Sequence, residues 1–441
     1  MSETLRTFLE SLKQSGKILT VDREFDPQFE LNAVVRKVQS EMNLPVIFNR
    51  VRGTRYKVVS NGLGNYDIIA SLIGEQRSGV ARRWGQLTSS MNGQELPEFP
   101  SAAAEYEEIS LDDVPHITFS EKDAGPYITA GVITARNPDT GITNLSYHRM
   151  QIISGTELRC RLSTSGDLYR MQQLAEKRGE PLRAVVAIGL PPAVMLAAGS
   201  TIGPTTSEYD FAARIAGGRF PLRTLDGEIP VVDSSEFLIE GEILPNERRR
   251  EGPFGEWMDY YVQPMDNHVF MVKRVLARKD AIFYAISAGS NEELAMTAIP
   301  IAGSIYNAVR TWVPQVKDVA CFPLLQFCAM QIGPHSEGQP NRALVAAFGA
   351  EMNRVMYGVV VDDDVDIHNW HDVMWAIATR CRPDRDVFII PGVPSFARDP
   401  HKIHWGRLGI DATKPIAHPA DFERKQVPML SEIRLEDYLT R

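Results

Sequence analysis

From the N-terminus to about Gly74 the chain mixes two apolar periods. Leu5, Phe8, Leu9 and Leu12 recur at three- and four-residue spacing, which predicts an amphipathic helix, and residues 33–42 repeat that spacing. Residues 45–49 and 56–60 are short apolar runs of strand length. This is an α/β pattern. A polar, proline-bearing stretch at 89–107 follows, and beyond it the chain turns to short β segments at 128–136, 151–153, 185–188 and 269–275. Turns such as Asn137-Pro138-Asp139 and Leu190-Pro191-Pro192 punctuate this middle region, which predicts a barrel or curved sheet. After about Ser304, βα units return: 343–348 reads as the edge of a helix, 359–361 as a buried strand, and 373–381 has helical spacing. Residues 430–441 form a charged amphipathic tail, expected to be a terminal helix that packs on a neighbouring subunit. These shifts divide the chain at 1–110, 111–303 and 304–441 and predict an α+β multidomain protein. Its parts are an N-terminal α/β domain, a central barrel-like β domain and a C-terminal α/β domain used for oligomerisation.

Composition narrows the class. A chain of 441 residues with 44% hydrophobic and 23% charged residues can build an ordinary globular core. Its net charge of -9 and the lack of a long Lys/Arg run argue against nucleic acid as a partner. No apolar run approaches the length of a membrane span, and Glu3, Arg6 and Glu10 interrupt the first apolar segment, so neither a membrane anchor nor a signal peptide is expected. Cys160, Cys321, Cys328 and Cys381 have no CxxC spacing and read as reduced thiols of a cytoplasmic protein.

Candidate chemistry concentrates in two segments. In Arg250-Glu251-Gly252-Pro253-Phe254-Gly255-Glu256-Trp257, two acids flank a Gly-Pro-Phe-Gly turn that can hold both toward one cavity. Two carboxylates in a poorly solvated site favour sharing one proton, the usual basis of an acid/base pair. A solvated surface turn has the same spacing. The second segment, Asn144-Leu145-Ser146-Tyr147-His148-Arg149-Met150-Gln151-Ile152, sets an amide, an imidazole and a guanidinium close together. The planar fork of Arg149 can grip a carboxylate with two hydrogen bonds; capping a strand or pairing with a surface acid would need the same residue. An arginine to hold a carboxylate and two glutamates to orient and protonate would serve to replace carbon dioxide by a proton. By contrast, Asp362-Asp363-Asp364-Val365-Asp366 reads as a solvated loop with helix-capping aspartates, and His368, His371, His401 and His404 lack ligand spacing. Gly199-Ser200-Thr201-Ile202-Gly203-Pro204 matches no nucleotide-binding fingerprint.

Together these residues resemble the UbiD family of decarboxylases, which use prenylated FMN. Glu251-Gly252-Pro253-Phe254-Gly255-Glu256 with Asp259-Tyr260-Tyr261 is similar to the family's acidic loop, and Ser235-Glu236-Phe237-Leu238-Ile239-Glu240-Gly241 to the strand before it. Further likenesses, in the family's order, are Asp123-Ala124-Gly125-Pro126-Tyr127-Ile128-Thr129, Ala187-Ile188-Gly189, the Asp362 run, and Gly409-Ile410-Asp411-Ala412-Thr413. The resemblance implies a central split β-barrel that binds the flavin.

It also implies roles. Arg149 would orient the substrate carboxylate, Glu251 would stay ionised beside that arginine and fix it, and Glu256 would donate the proton. The modified flavin ring would accept the freed electrons. Asn144, Ser146, Tyr147, His148, Arg149, Met150, Gln151, Glu208 and Arg407 would line the cofactor site. A divalent cation, Mn2+ or Mg2+, with K+ or Na+ nearby, would sit at the flavin phosphate on Asn144 and Glu208. Thr164 stands where the family has a histidine ligand, and His148 is a second candidate for that place. A flavin prenyltransferase would supply the cofactor, and a homodimer or homohexamer would be the assembly. Ile128 and the apolar stretch 295–305, with Met296, Ile299 and Ile301, would flank a flat aromatic or heteroaromatic acid; an α,β-unsaturated acid fits the same chemistry. The rival readings are an FMN-dependent oxidoreductase on a split barrel and a non-catalytic flavin-binding subunit.

Overall fold

The first helix, Leu5–Gln14, starts where Thr4 and Thr7 cap each other reciprocally, and it buries the predicted stripe Leu5, Phe8, Leu9 and Leu12. The computed structural model describes residues 4–89, 95–101, 104–225, 228–321, 325–393, 405–429 and 432–438. Its chain forms two compact units, Met1–Asn307 and Ala308–Arg441, with the division falling inside the helix Asn291–Trp312.

Within the first unit, strands Leu19–Phe25, Val46–Val51 and Lys57–Ser60 make a four-stranded sheet with a late arrival, Ile282–Tyr284, which pairs parallel to Lys57–Ser60. Tyr106–Ile109, conversely, pairs with Met265–Arg278 of the central sheet. Both strands thus join sheets other than those their sequence position implied, because pairing is set by distant backbone partners that local periodicity does not register.

The central sheet has nine strands. Its main path runs Tyr127–Ile128, Met150–Ser154, Glu157–Cys160, Met265–Arg278, Phe237–Glu251, Leu182–Ile188, Val132–Arg136, Thr143–Tyr147. The apolar run at 128–136 is broken: Tyr127–Ile128 lies at one end of this path and Val132–Arg136 near the other. Likewise Tyr147 closes the last strand and Met150 opens the second. Three Cα steps reach at most about 11 Å, so the two ends of the sheet meet and the sheet curls into a half-barrel. Gly131 sits in this seam, where an added Cβ would lie 2.4 Å from Met150 Cε and 2.8 Å from Val186 Cγ1. The seam therefore has no room for a side chain at that position.

The long strands Phe237–Glu251 and Met265–Arg278 change register midway, from Ile243 opposite Phe270 to Arg248 opposite His268. Five residues along one strand match two along the other. An earlier irregularity, where the step from Glu240 to Gly241 matches two residues of the partner strand, brings the net excess to two, and Glu251 ends buried beside exposed Arg250.

The second unit is a five-stranded sheet in the order Val316–Ala320, Phe327–Ile332, Tyr357–Asp362, Trp405–Ala412, Val387–Val393, with the three middle strands parallel. Helices Gln339–Ala350 and Trp370–Arg380 accompany it, and Val359, Val361, Val373 and Ala376 lie in its core. The acidic run ending the central strand is solvated only in part: Asp363 and Asp366 are exposed, whereas buried Arg380 pairs with Asp362 at 3.1 Å and Asp364 at 2.7 Å, and Lys414 reaches Asp364 at 2.8 Å. Asn369, not an aspartate, caps the following helix. In the predicted tail, the described residues 432–438 contain a 3-10 turn at Leu435–Asp437, and the rest of 430–441 lies outside the described residues. His401 and His404 lie outside the described residues. Among the described residues no helix is long and apolar enough to cross a membrane, and no group of three His, Cys, Asp or Glu side chains could hold a metal.

Candidate active site

The seam of the curled sheet carries Arg149. Glu251 grips it in parallel, with Arg149 Nε 3.1 Å from Oε1 and Nη2 3.0 Å from Oε2, while Nη1 is hydrogen-bonded to Glu256. Glu251 also accepts from the Tyr127 hydroxyl at 2.9 Å and from Asn267 Nδ2 at 2.6 Å. The guanidinium stacks on Phe254, 4.8 Å from the ring centroid, and Phe254 packs on Tyr127 at 4.5 Å. Both acids are buried, and the arginine side chain is 9% exposed. Burial disfavours the charged guanidinium, but the carboxylates of Glu256 and Glu251 more than offset it and raise the Arg149 pKa. Burial, with the Glu251 charge, also raises that of Tyr127, which stays a neutral donor.

The loop bearing the acids is held from three sides. Gly255 N–H donates to Asp123 at 2.9 Å, Ala124 N–H to the Pro253 carbonyl at 3.0 Å, and Gly252 N–H to Gln151 Oε1 at 3.2 Å. Gly252 has φ +88°, a conformation that favours glycine.

A second polar group occupies the same curled sheet. Glu208 opens the helix Glu208–Ala216 and accepts from Leu145 N–H at 2.8 Å. Burial pushes its carboxyl up to about 7; the Leu145 bond offsets part of that, and the nearby charge of Asp167 adds to it. Asn144, also buried, donates through Nδ2 to Ser146 Oγ at 3.1 Å. Asn144 is the chain neighbour of Leu145, whose N–H Glu208 accepts, and carboxylate and amide oxygens are the donor types that suit a hard divalent cation. Two residues before Arg149, the Tyr147 hydroxyl is buried without a hydrogen-bond partner among the described residues, the condition of a group that a bound ligand satisfies.

Three family models cover most of the chain: the 3-octaprenyl-4-hydroxybenzoate carboxy-lyase N-terminal domain at residues 9–88, the Rift-related domain at 95–291 and the C-terminal domain at 295–412. The chain belongs to the UbiD family. The UbiD assignment makes it a carboxy-lyase, a decarboxylase. Among curated proteins it is 31% identical over 433 residues to anhydromevalonate phosphate decarboxylase of Methanosarcina mazei, with 96% of this chain and 99% of that protein covered. Among solved structures it is similar to the UbiD-class enzyme HmfF from Pelotomaculum thermopropionicum in complex with FMN: 32% identity, TM-score 0.92, 99% of this chain and 100% of that one. An evolved dimeric form of that enzyme in complex with prFMN matches with TM-score 0.88 at 32% identity, over 99% of this chain and 100% of that one.

On this UbiD fold the remaining predicted residues have surroundings of their own. Thr164 is exposed in a turn, and the charge that reaches Glu208 comes from Asp167, in the first turn of the helix Asp167–Arg178. His148 has both ring nitrogens engaged, with Ser146 Oγ and with the Arg161 carbonyl. Arg407 lies in the second unit, where its buried guanidinium donates to the carbonyls of Gly406 and Met352. Ile128, Met296 and Ile299 are buried in the core of the first unit. Met150 is buried at the seam, and Gln151 Nε2 donates to the Ala124 carbonyl, so Gln151 braces the acidic loop.

Sequence reading missed Asn267 and Phe254 as members of the site, and Asp167 as a charge that reaches Glu208. Tyr127 and Asp123 lay in a quoted family segment, and Asp167 follows Gly166 as an acid opening a helix, a signal that was legible. Asn267 had none, since only the shifted register sets it beside Glu251.

Beyond the cluster, His268 is buried with neither ring nitrogen hydrogen-bonded among the described residues, and burial, with Arg248 and His148 nearby, lowers its pKa from 6.5 to about 4. The folded state thus binds fewer protons than the unfolded chain between these values, and stability falls as pH drops through that window. The loss should approach about 3 kcal/mol. Denaturant titrations of wild type and His268→Leu at pH 7, 5.5 and 4 check this: the variant should show a shallower acid limb, and superimposable limbs would rule out a buried neutral histidine.

Proposed function

We propose that this chain decarboxylates an α,β-unsaturated or aromatic carboxylic acid with the help of prenylated FMN, using Arg149, Glu251 and Glu256. The observation that carries the reading is the buried fork of Arg149, pinned on one side by Glu251 and bonded to Glu256 on the other. Glu251, Tyr127 and Asn267 fix the fork, so its orientation is set before substrate arrives. A substrate carboxylate that takes Nη1 displaces Glu256. Glu256, released from the arginine, takes up one proton from solvent and passes it to the substrate carbon in place of the departing carbon dioxide, and it removes that proton in the reverse carboxylation. When bound, the flavin supplies the electron sink for the breaking carbon–carbon bond. Asn144, Ser146, Tyr147, Met150 and Gln151 belong to the strands proposed to line it. Asn144 and Glu208, with Asp167 in place of Thr164, would hold a Mn2+ or Mg2+ ion at its phosphate; K+ or Na+ would be the accompanying ion.

A non-catalytic subunit has no use for a buried arginine shared by two acids, since that arrangement costs desolvation and gains little stability. An FMN oxidoreductase has no use for it either. The acid named in the curated relative, anhydromevalonate phosphate, heads the substrate panel, followed by aromatic and heteroaromatic acids. Carbon dioxide release is measured after co-expression with a flavin prenyltransferase and without it. Release that does not depend on the prenylated cofactor would end this reading. Cytoplasmic location and assembly as a homodimer or homohexamer, through the second unit, complete the proposal.

Glu208→Ala is expected to lower the content of divalent cation and flavin at least about tenfold, because it removes a charged ligand. Metal analysis and the flavin absorbance of purified protein check this. Unchanged content of both would remove Glu208 from the cation site.

A further inference from the structure

A chain of hydrogen bonds runs from Arg161 to Asn144, and chemistry fixes its direction at one end. His148 Nδ1 lies 2.9 Å from the Arg161 carbonyl oxygen. A carbonyl only accepts, so Nδ1 carries the proton, and in the neutral ring Nε2 accepts. Nε2 lies 2.9 Å from Ser146 Oγ, so the serine hydroxyl donates its one proton to the imidazole. Ser146 Oγ can then only accept from its other neighbour, and Asn144 Nδ2 is 3.1 Å away. The Asn144 amide must turn its NH2 end toward Ser146. The opposite flip would set two acceptors against each other.

We infer that His148 and Ser146 are positioning residues that orient the Asn144 amide and so present its Oδ1 to the divalent cation. The inference rests on the cation site proposed above and adds the device that prepares it. His148 and Asn144 are both buried, so water cannot readily replace a missing link. The arrangement explains a histidine that binds no metal itself: both of its nitrogens are engaged in setting an amide two links away.

The test measures Mn2+ binding to the full chain, stripped of metal with a chelator, by the electron paramagnetic resonance signal of free Mn2+. Wild type should bind, and His148→Ala and Ser146→Ala should bind about tenfold more weakly, the usual scale for removing a hydrogen bond that orients a ligand. His148→Gln should keep most of the affinity, since an amide can donate to the Arg161 carbonyl and accept from Ser146. The deciding comparison is an Asn144→Asp background. A carboxylate has oxygens at both ends, so orientation no longer matters and His148→Ala should cause no further loss. An equal loss in both backgrounds would show that His148 only supports the fold and would overturn the inference. Undiminished binding by His148→Ala in the Asn144 background overturns the relay alone, whereas a wild type that binds no divalent cation overturns the cation reading with it.

Discussion

Glu256→Gln should lower carbon dioxide release by about 10³-fold, within the range that a positioned general acid contributes, while flavin content stays at the wild-type level. Glutamine keeps the size of the side chain and can still meet Arg149 Nη1 through its amide oxygen, so the pocket is preserved and the transferable proton is lost. Single-turnover release from cofactor-loaded protein, with the absorbance spectrum as control, separates the two effects. Full turnover in this variant would remove Glu256 from the mechanism.

Arg149→Met should remove activity and also destabilise the protein by about 3–5 kcal/mol, because it leaves two buried carboxylates without their cation. In the wild type Glu251 receives four hydrogen bonds, two of them from Arg149. Methionine fills the volume and supplies none of them. Denaturant unfolding at pH 7 measures the loss, and the double variant Arg149→Met/Glu251→Gln should recover part of it by removing one stranded charge. A stability loss below about 1 kcal/mol would mean that water reaches these acids and that the cluster is not the dry, preorganised group described above.

Much of the fold could be read from local pattern. The stripe Leu5, Phe8, Leu9 and Leu12 needs only a helix and a core to bury against, and the βα texture after residue 304 becomes a sheet with helices. The acids of the Gly-Pro-Phe-Gly turn and the arginine of the Asn144 segment could be proposed as partners from residue type. Their meeting could not. Arg149, in the short link between strands near the two ends of the sheet, meets Glu251 from a strand in its middle, a contact that the curl of the sheet makes and no local pattern encodes.

The sequence by itself determined which residue types were present in which order: a carboxylate-gripping fork, two acids on a tight turn, and the alternation and periodicity that make strands and helices. Tertiary structure decided the rest. The register shift set Asn267 beside Glu251, tertiary packing carried the charge of Asp167 to buried Glu208, and Ile282–Tyr284 joined a sheet begun more than two hundred residues earlier. The physical reason is common to all three. Side-chain periods of 2 and 3.6 are local properties of the backbone, whereas strand pairing, register and helix docking depend on partners far away in the chain, whose positions no local pattern encodes.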